Sequence, residues 1–186
     1  MTLNRSDPDT RPRCFISYAW GVDEHERWVI QLATDLRNIG IEVVLDRWVN
    51  AEPGASIARF ISRISACEFI AVVGTPEYKL KYENKLSPAG NVVAAEFDLI
   101  SSRLISTELN KKSVLPLLLA GEVSTSFPEL LHNRVYIDFR QDDHYFLQLS
   151  DMVIKMFGLP FDDFAIIDLR ESMSAELRKL GALVLT

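Results

Sequence analysis

Residues 68–74 read EFIAVVG, and this run limits the possible folds more than any other part of the chain. After Glu68 no polar side chain interrupts it. A strand with one wet face alternates apolar and polar residues, whereas a near-continuous apolar run belongs to a strand covered on both faces. Four more short, largely apolar runs punctuate the chain, namely RCFISYA at 13–19, IEVVL at 41–45, SVLPLLL at 113–119 and RVYIDF at 134–139. Pro116 inside the fourth strand run predicts an edge position or a bulge. Amphipathic stretches separate the runs. Trp28, Leu32, Leu36 and Ile39 define one helix, with Asp23 and Glu26 spaced as a capping box and Gly40 just past its end. Ile57, Phe60, Ile61 and Ile64 define a second, capped by Ser56. Val93, Phe97, Ile100 and Leu104 define another. Phe146, Leu149, Val153 and Phe157 define the last, stopped by Gly158 and Pro160. TPEYKLKYENKLSPAG at 75–90 reads as a polar, lysine-rich loop.

Strands alternating with helices predict an α/β chain with a flavodoxin-like, doubly wound, five-stranded parallel sheet and helices on both faces. In such folds ligands bind beyond the carboxyl ends of the strands. Those ends are SYAW, LDRW and VGTPEY. The expected organisation is a loose, disordered leader over 1–12, one domain over 13–158 and an extension over 159–186. In that extension RESMSAELRKLG can form a helix. The apolar ALVLT either docks on the domain or begins something longer.

The chain has 186 residues, of which 48% are hydrophobic and 25% charged, an ordinary balance for a globular protein. A net charge of −6 argues against direct nucleic-acid binding. No apolar run approaches the roughly 18 residues of a spanning helix, and the first 13 residues hold no apolar signal core. These features predict a soluble, cytoplasmic protein with no membrane partner. Cys14 and Cys67 sit beside apolar runs and read as buried thiols. His25, His132 and His144 lack metal-ligand spacing, so no metal site is expected. QDDHYF at 141–146 reads as a helix start capped by Asp142 or Asp143. There is no Gly-x-Gly-x-x-Gly turn, Walker lysine or Gly-x-Ser-x-Gly elbow. A phospho-acceptor receiver would need paired acids and a partner lysine at the strand ends, and these are missing.

VVLDRWVNAEPGASIARF at 43–60 carries a loop longer than a bare strand-to-helix connection needs. It has an aromatic residue near its start and closes with a Pro-Gly turn signal. CFISYAW, an amphipathic helix, VVLDRWVNAEPGAS and FIAVVGTPEY, in that order, resemble the Toll/interleukin-1 receptor (TIR) domain of bacterial type, near its border with SEFIR domains. The resemblance spans about residues 13–157. It implies the loop after the second strand as a mobile assembly element, here with Trp48, Pro53 and Gly54.

Many members of that family cleave the nicotinamide–ribose bond of NAD+, with a catalytic Glu in the first turns of the helix after the third strand. The matching residue is Glu96. Enzymatic members often carry a Trp four positions earlier, where this chain has Val92; Tyr82, Tyr78 or Trp48 could supply the aromatic surface instead. The resemblance thus implies an NAD+ nucleosidase (glycohydrolase, or ADP-ribosyl cyclase) that uses NAD+ as substrate and needs no cofactor. It would be activated by assembly into a homo-oligomer or filament, with a fused or separate sensor domain, in bacterial antiphage defence or as an effector. The alternative is a non-catalytic TIR module that signals by self-association.

The residues carry their own argument. At 100° per residue the four apolar positions of Glu96's helix fall in a stripe of about 60°, with Glu96 roughly 60–70° from its middle and Asp98 nearly opposite. A boundary glutamate at a helix N-terminus, near Arg103, is one reading. The other is catalytic. Nicotinamide leaves NAD+ as a neutral group, so no general acid is needed. A fixed carboxylate can stabilise the positive charge that develops on the ribose. Ser17, Tyr18, Ala19 and Trp20 leave the first strand at the ligand face. Trp20 either stacks on the substrate or packs on the surface. Asp46 either hydrogen-bonds across the loop or caps it. Thr75 either meets a phosphate or ribose or forms a simple turn before Pro76. Trp48 either reaches a neighbouring subunit or plugs the end of the sheet. The expected substrate-binding set is Tyr18, Ala19, Trp20, Asp46, Trp48, Thr75 and Val92.

Overall fold

A computed structural model describes residues 11–45, 62, 64–83 and 98–184. Five strands form one sheet in the order β2-β1-β3-β4-β5, comprising β1 (Arg13–Ser17), β2 (Glu42–Leu45), β3 (Phe69–Gly74), β4 (Val114–Leu118) and β5 (Ile137–Asp138). Every neighbouring pair is parallel. This is the flavodoxin-like, doubly wound order expected from the alternation of strands and helices. The helices are α1 (Asp23–Asn38), α2 (Pro76–Glu83), α3 (described over 98–104), α4 (Glu108–Lys112), α5 (Val123–Ser126), α6 (Glu129–His132), α7 (Tyr145–Met156) and α8 (Phe164–Val184).

Successive strand residues point to opposite faces, and the core divides accordingly. Cys14, Ile16, Val43, Leu45, Ala71, Val73, Leu115 and Leu117 pack with α1 and α7 through Leu32, Leu36, Leu149 and Met152. Phe15, Val44, Ile70, Val72, Val114 and Leu118 pack with Ile64, Ile100, Leu104 and Phe127 on the other face. Each large aliphatic side chain so buried contributes about 1.5–3 kcal/mol. EFIAVVG is continuous because β3 lies between β1 and β4 and is covered above and below. Cys14 and Cys67 are free, buried thiols as expected. Burial pushes both up, Cys67 to about 11.

Several local expectations are corrected. Residues 76–83 of the supposed lysine-rich loop form α2. Helix α1 starts at Asp23 itself, after Val22, with no side-chain cap; Glu26 instead accepts the N–H of Gly21 at 2.8 Å. Asp142 and Asp143 cap nothing, since Asp142–His144 forms a 3-10 turn that leads into α7. Strand β4 is interior, not an edge. Ser113 O accepts from Ile70 N, and Leu119 N donates to Gly74 O, so odd-numbered residues of β4 face β3. Pro116 therefore turns its missing N–H toward β5, whose pairing begins only at Leu117. The strand expected over 134–139 shrinks to Ile137–Asp138 for that reason.

In the extension, the expected helix runs on through Val184 and takes in most of the apolar end. Arg170 fastens α8 to α7 by a forked pair with Asp151 at 2.6 and 2.9 Å and lies over the Phe161 ring. No described helix is long and apolar enough to cross a membrane.

Gly74 marks the carboxyl end of β3. A Cβ there would run into the ring of Phe127, which is fully buried. Gly74→Ala should therefore lower stability by about 1–3 kcal/mol, as overpacking does, measured by thermal or urea unfolding. An unchanged melting temperature would mean that the ring has room to withdraw.

Candidate functional site

The carboxyl ends of β1 and β3 lie side by side, and α2 crosses above them. Thr75 makes this turn possible. Its hydroxyl accepts the N–H of Tyr78 at 3.1 Å, the N-cap geometry. Pro76 takes the first helical position, where its missing N–H costs nothing. Tyr78 then drops into the core at 1% exposure, its hydroxyl 3.1 Å from that of Ser17 at the end of β1. One turn on, the Lys81 ammonium donates to the backbone carbonyl of Trp20. On the opposite flank Lys79 donates to Ser124 O at 2.6 Å. Helix α2 is thus held between the loop after β1 and α5.

The loop after β1 splits its residues by face. Tyr18 and Ala19 are 5% and 6% exposed and belong to the two core layers. Neither offers a free side chain to a ligand. Trp20 is 41% exposed, its ring near parallel to that of Tyr18 with centroids 6.3 Å apart. Gly21 follows with φ +109°, a conformation that suits glycine. His25 Nδ1 of α1 and Glu77 Oε2 of α2 approach to 3.9 Å beside this loop.

At the far end of α2, Tyr82 sits near Asp98, the first described residue of α3. Its phenol is pushed up by burial first, then by the charges of Asp98 and Glu83. Asp98 itself is exposed, as the helical spacing predicts. At the other end of α3, Arg103 is spent on the backbone. It donates to the carbonyls of Cys67 at 2.6 Å and Glu68 at 3.1 Å, and to Ser113 Oγ at 3.4 Å. These partners lie at the amino ends of β3 and β4.

Of the expected site residues, Tyr18, Ala19, Trp20 and Thr75 are brought together at one end of the sheet. Glu96, Asp46, Trp48, Val92, Pro53 and Gly54 lie outside the described residues. Lys81 and Glu26 hold the Trp20–Gly21 loop from two helices, a role that the sequence pattern does not single out. A signal for α2 exists in Thr75-Pro76-Glu77, a cap, a first-turn proline and an acid. It is obscured because α2 buries only Tyr78 and leaves Leu80 64% exposed.

Thr75 is 2% exposed, with its hydroxyl already engaged. Thr75→Val should cost about 1 kcal/mol of stability, the usual worth of an N-cap, and Thr75→Ser should restore it. A Thr75→Val protein of unchanged stability that loses ligand affinity would return the hydroxyl to the binding site.

The comparisons with known proteins agree with this architecture. A crystal structure of a prokaryotic SEFIR domain superimposes with a TM-score of 0.55 and 21% sequence identity, covering 78% of this chain and 92% of that one. At that identity the likeness speaks for the fold. No curated protein matches the chain. The TIR domain family profile matches residues 14–153, most of the chain, and by that match the protein belongs to the TIR domain family.

Proposed function

We propose that the protein is an NAD+ nucleosidase that releases nicotinamide and ADP-ribose, or its cyclic isomer, when it assembles with other copies of itself. The observation that supports this reading is the direction of α3. Its first described residue, Asp98, is close enough to Tyr82 to raise that phenol. Its Arg103 is anchored at the amino ends of β3 and β4. The described part of α3 therefore runs away from the side where doubly wound folds bind ligands, and Glu96 stands two positions before Asp98 in the chain. In this reading the Glu96 carboxylate stabilises the ribose cation as neutral nicotinamide departs. Trp20, exposed at the same end of the sheet, and Tyr82 offer aromatic surface to the nicotinamide where family enzymes carry a Trp and this chain has Val92. The site needs no cofactor beyond the substrate.

Val92 also favours a second reading, a non-catalytic module that signals by TIR–TIR self-association. One assay separates the two. Concentrated protein is incubated with NAD+ and free nicotinamide is measured. Turnover is expected, and Glu96→Gln should lower it about 10²-fold or more, as removal of one preorganised electrostatic group does. Near wild-type turnover in folded Glu96→Gln protein would end the catalytic assignment. No nicotinamide from assembled wild-type protein would favour the module.

The loop after β2 is proposed as the contact that couples assembly to activity, with Trp48 as anchor and Pro53-Gly54 as pivot. Trp48→Ala should leave the melting temperature nearly unchanged while abolishing the steep rise of activity with protein concentration. If Trp48 instead plugs the sheet, its truncation should cost about 3–5 kcal/mol.

A further inference from the structure

The sheet has a second edge, at β5, and it is built unlike the β2 edge. On β2 the Val43 carbonyl is covered by Arg37 Nη2 at 3.3 Å. On β5, Phe139 N donates to Leu118 O, so odd-numbered residues face β4 and the N–H and C=O of Tyr136 and Asp138 point outward. No backbone hydrogen bond among the described residues takes either N–H. Val135 beside them is 96% exposed and Tyr136 37%. A bare edge with a projecting valine is a template for another strand.

We infer that this edge pairs with the same edge of a second copy, antiparallel about a two-fold axis at Tyr136, extending the five-stranded sheet across the axis. The segment Arg134-Val135-Tyr136-Ile137-Asp138 is self-complementary in this register and in no adjacent one. Tyr136 meets itself as a hydrogen-bonded pair, which uses the outward-pointing residues. Val135 lies opposite Ile137 of the partner subunit, an apolar pair. Arg134 lies in the bend that opens the segment, its N–H given to Leu131 O, so that only its side chain meets Asp138 of the partner subunit, a charge pair that the two-fold repeats. A shift of one residue turns the inward-facing backbone outward and sets Val135 against Asp138. Both charges have partners within their own chain. Arg134 donates to the Lys111 carbonyl, and Asp138 takes the Arg140 guanidinium at 2.7 and 2.9 Å. A carboxylate accepts several donors, so the cross-axis pair adds to these contacts. The interface is short, which makes it a reversible contact of the concentrated protein. It lies at the edge of the sheet opposite β2.

The test is sedimentation velocity over a range of concentrations without NAD+, which keeps it independent of catalysis. Wild-type protein should associate reversibly to a dimer. Arg134→Glu and Asp138→Arg should each weaken this about tenfold or more, since two attractive pairs per dimer become repulsive. An equimolar mixture of the two variants should regain it, because each like-charge clash becomes an opposite pair. Tyr136→Cys should cross-link to itself on mild oxidation, as hydrogen-bonded antiparallel partners lie about 5.5 Å apart, within disulfide reach. The native cysteines are buried. This cross-link decides the matter even if Asp138→Arg unfolds through loss of the Arg140 pair. Wild-type protein that stays monomeric, association indifferent to Arg134→Glu, or Tyr136→Cys that does not cross-link would overturn the inference.

Discussion

The contact between Gly74 and the Phe127 ring decides what the carboxyl end of β3 can do. With no Cβ, the strand lets the ring close over it, and its carbonyl still accepts from Leu119 N at 3.0 Å and Ala120 N at 3.4 Å. β3 is thereby locked to β4 one step beyond their last paired residues, and the chain has nowhere to go but up and over. Thr75 and Pro76 turn that necessity into a helix. Once α2 lies across the strand ends, Tyr78 and Lys81 follow at positions that reach Ser17 and Trp20. The face on which the TIR reading places substrate is thus assembled from one steric concession and the helix it forces.

The aromatic corner on the other layer plays the matching part for α1 and α7. Trp28 meets Phe139 edge-on at 5.0 Å and Tyr145 at 6.2 Å, favourable geometry for ring quadrupoles. Tyr145 donates its hydroxyl to Asp35 at 2.7 Å, so the two helices are joined by a polar bond at the rim of an apolar contact. The terminal strand is only two residues long, yet Phe139 just beyond it is 2% exposed. Side-chain packing holds this edge where backbone pairing has run short.

The parallel, doubly wound architecture was legible because its signal is summed over many residues. Strand runs such as FIAVVG and IEVVL report burial on both faces, and helices such as α1 repeat their apolar positions over several turns. What was not legible depended on single contacts. The helix of α2 has almost no apolar periodicity and exists because one threonine, one proline and one buried tyrosine agree. Pro116 suggested an edge or a bulge, whereas the strand is interior with an unbroken register to β3 and the missing donor faces β5. Glu26 carried the capping-box spacing and bonded Gly21 instead, since two patterns with the same acid differ only in where the preceding chain comes from. At the site, Trp20 was legible as an exposed aromatic, whereas the burial of Tyr18, Ala19 and Thr75 followed from packing that no local pattern records.

Arg103 has a consequence for how stiffness is distributed. Its guanidinium joins α3 to the carbonyls before β3 and to the Ser113 hydroxyl before β4, so that one planar group ties the helix to the starts of two strands. At the opposite end of the sheet α2 is held by Lys79 and Lys81 and by the buried pair of the Tyr78 and Ser17 hydroxyls. One side chain thus braces the amino ends of two strands, whereas several separate contacts share that work at the carboxyl ends.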